Sequence, residues 1–226
     1  MESAELGEMV PAVSGYAAEL PGRRVTLLVE AVTPILAAQM YIWAVPHERP
    51  RWWDVICGLA IAGFVALAIV RSPARDRRLF GLGPRADHWR AAGPLGLLTG
   101  LFVLMILGYG WATRQLRGDW DVLAAAAAYP IWGLAQQGVM LGFVYPRLKA
   151  ALGIPWAPLG TAILFGLAHL PNPLLTVGGV GLALGYALIW QRAPSLPLTA
   201  FSHGLIGAVC DKALHISMRV GAHYFE

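Results

Sequence analysis

Charge is what this sequence has least of. Only 13% of its 226 residues are Asp, Glu, Lys or Arg, about half the share of an ordinary soluble domain, while 57% are hydrophobic and the mean hydropathy is +0.57. That balance excludes a water-soluble globular domain. Cysteine is nearly absent as well: Cys57 and Cys210 both sit inside apolar runs, where they read as small buried hydrophobes and not as a disulfide. The first 24 residues lack the basic start and compact apolar core of a secretory signal; four Glu, two Arg and two Pro give them the character of a cytoplasmic or interfacial segment. The formal charge is +4, from 17 Lys and Arg against 13 Asp and Glu. An excess of that size reads as control of membrane topology, and no nucleic-acid partner is expected.

What the chain has in abundance is apolar runs of roughly 17 to 22 residues that do not alternate at period two, so helices suit the bilayer and a lipid-facing barrel does not. The expected fold is all-α, a polytopic transmembrane bundle of about seven spans, with six to eight allowed by the length. The spans fall at Val25–Val45, closed by Pro46 and Pro50, then at Trp53–Val70, Ala91–Trp111, Val122–Val144, Trp156–Leu170, Leu174–Trp190 and Leu198–Leu214. Between the second and third lies Arg71–Arg90, with six arginines against Asp76 and Asp87. The excess of positive charge on cytoplasmic loops puts this one inside. With the N-terminus cytoplasmic, eleven of the 17 basic residues face the cytoplasm. The organisation is thus a cytoplasmic or interfacial segment 1–24, N-terminal transmembrane helices 25–121 with the basic loop 71–90, a core 122–214 and a tail 215–226. The expected location is a prokaryotic inner membrane. Gly96/Gly100, Gly138/Gly142 and Gly181/Gly185 form small-xxx-small pairs, which let helices approach closely in lipid.

Polar side chains at bilayer depth are costly and ordinarily face a bundle interior, so they are the first candidates for function. The adjacent amides Gln136 and Gln137 sit in the middle of the fourth span, His169 near the end of the fifth and His203 near the start of the seventh. Each amide brings donors and an acceptor that lipid cannot satisfy. They read either as a bridge between helices or, with the two histidines, as the lining of a polar cavity. Phe165 precedes His169 by one turn, the spacing that stacks a ring on an imidazole. Glu30 reads as snorkelling toward Arg23 or Arg24, or as a contributor to the cavity. Asp211–Lys212 reads as an ion pair at the membrane boundary, and Asp211 with His215 as a further, remote option for metal ligation.

The stretch from Gln136 through Tyr145-Pro146-Arg147, then Phe165-Gly-Leu-Ala-His169-Leu-Pro171-Asn172-Pro173, then Ser202-His203-Gly-Leu-Ile-Gly207 resembles the CPBP family, the CAAX-protease and bacteriocin-processing or Abi family of multi-helix intramembrane proteases. The family pattern is a Glu-Glu-x-x-x-Arg helix, a Phe-x-x-x-His helix and a final His-x-x-x-Asn or Asp helix. Here Gln136 and Gln137 stand at the glutamate positions, Leu141 at the arginine position and Gly207 at the last one; the two histidines match. The resemblance implies His169, His203, Gln136 and Gln137 as catalytic positions; Phe165 and Asn172, within the matching motifs, and Glu30, from its own place inside the first span, are expected as substrate-binding or supporting residues. A glutamine amide has no basic lone pair to take a proton from water. The expected function is therefore an enzyme of altered chemistry on a lipidic, isoprenoid or prenylated substrate. A CAAX-type intramembrane endopeptidase and a non-catalytic membrane binder or assembly subunit remain as alternatives. Membrane lipid is the surrounding partner. The cofactor is unassigned; a divalent metal held by His169 and His203 is a remote option, two imidazoles being a thin ligand set.

Overall fold

The computed structural model describes residues 21–44, 52–71, 80–117, 121–214 and 219–225. Every regular element among them is helical: α1 Pro21–Ala44, α2 Trp52–Arg71, α3 Arg85–Ala112, α4 Asp121–Gln137, a π-helical segment Gly138–Val144, α5 Tyr145–Leu152, α6 Ala157–Leu167, α7 Pro173–Trp190, α8 Leu196–Lys212 and a 3-10 turn Gly221–Phe225. Pro46, Pro50, residues 72–79 of the basic loop and His215 lie outside the described residues, and the side chains of Arg71 and His223 do as well.

Three helices among the described residues are long and apolar enough to cross a membrane, at Gly22–Ala44, Arg85–Ala112 and Pro173–Trp190. The expected seven spans each have a helical counterpart, but only these three meet both length and apolarity among the described residues, and the count of seven spans is not established. α6 is the clearest shortfall, with 11 residues, about 16 Å of rise against a hydrocarbon core of about 30 Å. Pro158 opens it, and the turn of residues 168–171 before Pro173 ends it, so the expected Trp156–Leu170 span is cut at both sides. α3 begins at Arg85 and not at residue 91, because its first turns are polar and extend beyond the apolar run. The fourth span does not stop at Val144. The helix widens into the π segment and carries on through α5 to Leu152. Pro146 has no N–H to continue an α ladder, and the Tyr145 N–H already bonds five residues back to the Met140 carbonyl.

α4 and α8 run antiparallel and form the closest pair. A Cβ on Gly133 would lie 2.5 Å from the Ala200 carbonyl oxygen, and one on Gly204 would lie 2.7 Å from Pro130 Cα. Glycine at both positions is therefore a requirement of the backbone approach. The expected glycine pairs fare differently. A Cβ on Gly185 would lie 2.9 Å from the Leu98 side chain and one on Gly142 would lie 2.6 Å from the Phe80 ring, whereas a Cβ on Gly96 or Gly100 would meet nothing within 4 Å. That pair faces outward with the exposed Leu97, Leu101 and Leu104. The core is built from Leu95, the π segment, Phe165, Leu182 and Tyr186, so α3, α6, α7 and α8 all pack around the region that follows Gln137.

Candidate functional site

Gln137 ends α4, immediately before the π segment, and is 2% exposed. Its Nε2 lies 3.2 Å from Nδ1 of His203 on α8. An amide nitrogen can only donate, so Nδ1 of His203 accepts and the neutral ring carries its proton on Nε2. His169 is in the turn after α6. Its Nδ1 lies 2.7 Å from the Phe165 carbonyl oxygen, which can only accept. His169 therefore has its proton on Nδ1 and its lone pair on Nε2, and it satisfies one of the carbonyls that a helix leaves unpaired at its C-terminal end. The two imidazoles are held in opposite tautomers by two different local devices.

Phe165 connects them. Its ring centroid lies 4.7 Å from that of His169 and 5.7 Å from that of His203, the second an edge-on contact. Tyr186 forms a further wall beside His203 at 6.5 Å. Gly179 on α7 backs the pair: a Cβ there would sit 3.4 Å from Phe165 and 3.6 Å from Nδ1 of His169. The structure thus brings Gln137, His169, His203 and Phe165 into one cluster. Gln136 is half-buried, and one residue earlier on the helix it points about 100° away from Gln137.

The other expected positions lie elsewhere. Asn172 caps α7, its Oδ1 accepting from the Leu175 N–H at 3.1 Å and its Nδ2 donating to the Arg219 carbonyl at 3.2 Å. Both ends of that amide are engaged in local structure. Glu30 does not reach for solvent through Arg23 or Arg24; its Oε2 accepts from Nε of Arg147 at 2.6 Å, tying α1 to α5. The same guanidinium donates to the Phe143 carbonyl and lies over the Phe143 ring. Asp211 pairs with Lys212 at 3.1 Å and also accepts from the Tyr129 hydroxyl at 2.7 Å. Among the described residues no group of three or more His, Cys, Asp or Glu is disposed to hold a metal ion. The two histidines are the nearest thing to a ligand set.

Three residues that sequence reasoning passed over meet beside His203. Thr99 on α3, Tyr186 on α7 and Ser202 on α8 form a chain of hydroxyls: Thr99 to Ser202 at 2.5 Å and Tyr186 to Ser202 at 2.8 Å. Each is a hydroxyl well inside an otherwise apolar helix. That was the available signal, weaker than an amide or an imidazole because a lone Thr or Ser bonds its own helix at little cost.

Residues 118–209 match the family model described as Rce1-like: Type II CAAX prenyl endopeptidase Rce1-like. The match spans α4, the π segment and α5 to α8 up to Val209, so it contains Gln137, His169 and His203 together. No curated protein and no solved structure matches the chain. The CPBP resemblance is therefore shown over this stretch, and the apolar helices with it make the chain a membrane protein with a CAAX-protease-like core.

Proposed function

We propose that the chain is an intramembrane hydrolase of altered chemistry, acting on an acyl bond of a lipidic or prenylated substrate, with His169 as the base and His203 as the donor. The observation that supports this is the pair of opposite tautomers around Phe165. Nε2 of His169 has a lone pair and Nε2–H of His203 has a proton to share. In the proposed step, water adds to the substrate carbonyl carbon as His169 Nε2 takes its proton. The carbonyl oxygen, now an oxyanion, is held by His203 Nε2–H. On collapse the leaving group departs with the proton from His169. Each component has a familiar size: general-base catalysis contributes about 10² to 10⁴-fold and one oxyanion donor about 10² to 10³-fold. Gln137 takes no proton; its part is to hold the His203 tautomer.

The endopeptidase reading is favoured by a separate observation, the CAAX prenyl endopeptidase family match over residues 118–209. It differs only in the bond cleaved. Purified protein in lipid nanodiscs, offered a farnesylated peptide and a farnesyl or acyl ester of matched length, decides between them. His169→Ala and His203→Ala are each expected to lower the rate by about 10² to 10⁴-fold with the fold retained. Variants that bind the substrate more weakly but turn over any bound substrate as wild type does would remove the catalytic reading and leave a binder.

A further inference from the structure

The end of α3 remote from Arg85 closes on itself. Thr113 donates both its N–H, at 2.9 Å, and its hydroxyl, at 2.7 Å, to the Tyr109 carbonyl, while the Gln115 N–H donates to Gly110 at 2.7 Å and the Arg114 N–H to Trp111 at 3.2 Å. The carbonyls of this last turn are thus taken by the chain itself. Arg114 stands at the turning point with a φ of 57°, the left-handed region that favours glycine and costs a residue with a Cβ free energy. A basic residue after a helix ordinarily serves the last carbonyls. Here those of Tyr109, Gly110 and Trp111 are occupied, and among the described residues the Arg114 guanidinium has no hydrogen-bond or ion-pair partner. It lines an open groove of about 480 Å³ together with Gly110, Trp111, Ala112 and Leu116, within the range of about 300 to 1,000 Å³ that small-molecule sites occupy. The groove is preformed: a Cβ on Gly110 has no room against Leu116 and Leu214, Leu116 bridges to Leu214, and the Arg117 N–H donates to the Ala213 carbonyl at 2.8 Å.

We propose that this groove binds the phosphate of an anionic glycerophospholipid, with Arg114 as its guanidinium clamp. The site is separate from the imidazole cluster and does not rest on the reaction proposed above. Depth, charge and shape each point to that ligand. α3 is one of the helices long and apolar enough to cross a membrane, so the turn after Ala112 falls at headgroup level, where the exposed Tyr109 and Trp111 suit the interface. The backbone bonds to α8 gather Arg114, Arg117 and Lys212 at this one end of the bundle, and Asp211 beside them is already held by Tyr129 and Lys212. Three cations favour a headgroup with net negative charge and disfavour one that carries its own ammonium. A planar guanidinium can grip two phosphate oxygens at once. Below the groove Leu104, Leu107 and Trp111 follow one another at spacings of three and four on one exposed face of α3, an apolar track for an acyl chain. A strained backbone that keeps arginine where glycine fits better is explained by what the side chain binds.

The test is the melting temperature of the purified protein in neutral detergent, with added phosphatidylglycerol or phosphatidylcholine of matched chains. The wild-type protein is expected to gain more from phosphatidylglycerol. Arg114→Gly and Arg114→Asn both suit the left-handed turn, so each should melt no lower than wild type without lipid, yet need about fivefold more phosphatidylglycerol for the same gain. Arg114→Lys should keep part of the response. Arg90→Gln, which removes one charge at the opposite end of α3, should keep all of it. Equal gains from the two lipids, or an unchanged phosphatidylglycerol response in the Gly and Asn variants, overturn the proposal. So does an equal loss in Arg90→Gln, which would mean diffuse attraction and no site. An equal gain from glycerol phosphate alone would make the ligand a soluble phosphate and overturn the lipid assignment. Arg114→Gly melting below wild type without lipid would show that the arginine serves the fold, and that too overturns it.

Discussion

Replacing Gln137 by Leu removes one hydrogen bond and nothing else of comparable size. The bond is 3.2 Å long, and Gln137 is 2% exposed, so no bulk water replaces the lost donor. Helix-to-helix hydrogen bonds in membranes contribute about 0.6 to 2 kcal/mol, and leaving a buried acceptor unpaired costs about 1 to 3 kcal/mol. If the bond's whole contribution to catalysis is a preference for the Nε2–H form worth about 1 to 2 kcal/mol, its loss lowers the reactive population by roughly 5 to 30-fold. Gln137→Leu should therefore reduce the single-turnover rate by about that factor, with substrate affinity nearly unchanged. The comparison with His203→Ala, at about 10² to 10⁴-fold, is what makes the result diagnostic. A Gln137→Leu protein as inactive as His203→Ala would show that the amide itself takes part in the chemistry. One as active as wild type would show that the tautomer needs no such control. Either outcome refutes the argument from the amide donor.

Three further outcomes follow from the packing. Gly133→Ala and Gly204→Ala should each cost about 1 to 3 kcal/mol in detergent unfolding, because a Cβ there meets Ala200 or Pro130 backbone at 2.5 and 2.7 Å, while Gly96→Ala and Gly100→Ala, with nothing within 4 Å, should be neutral or stabilising by up to about 1 kcal/mol. A double-mutant cycle between Glu30→Gln and Arg147→Met should give a coupling of only about 0.2 to 1 kcal/mol, since the two side chains are 43% and 27% exposed and the guanidinium keeps its contacts with Phe143. Restoring glutamate at both 136 and 137 should lower the yield of folded protein without producing peptide cleavage, because Leu141 is 1% exposed and supplies no countercharge, and cleavage should require Leu141→Arg in addition.

The helices were legible because each is an apolar run bounded by proline, glycine or charge, and all seven expected segments correspond to one. Their lengths were less so. Hydropathy reports where a segment is apolar, not where its backbone bonds stop, which is why α6 is shorter than its apolar run and α3 extends past its own into Arg85. The π segment left no pattern at all, since Gly138 to Val144 reads as ordinary apolar helix and only the i to i−5 bonding distinguishes it. In the site, His169, His203 and Gln137 stood out because a buried imidazole or amide must be satisfied by something. Gln136 stood out equally and lies about 100° away, a distinction the helical period makes but composition does not. Glu30 was visible as an outlier whose partner was not, because Arg147 is 117 residues away in sequence.

The departures from the family pattern have a common physical basis. At the arginine position Leu141 is 1% exposed inside the π segment, in the apolar core, where a guanidinium without a carboxylate would be a buried unpaired charge. At the last position Gly207 lies beneath the Tyr129 ring, whose Cδ1 would be 3.1 Å from a Cβ there, and the Tyr129 hydroxyl reaches one turn further to the Asp211 carboxylate. A side chain at 207 would press on that ring and require it to give by a few tenths of an ångström. The polar contact between α4 and α8 at this end is thus made by Tyr129 and Asp211, about two helical turns from His203. With neutral amides at 136 and 137, the arginine has no partner to hold. These changes fit together as removal of charge from the interior of α4 and α8, and they leave two imidazoles, one amide and three hydroxyls as the polar groups at the centre. In surroundings of that kind no carboxylate sets protonation, so hydrogen-bond direction must do so, from Gln137 to His203 and from His169 to the Phe165 carbonyl.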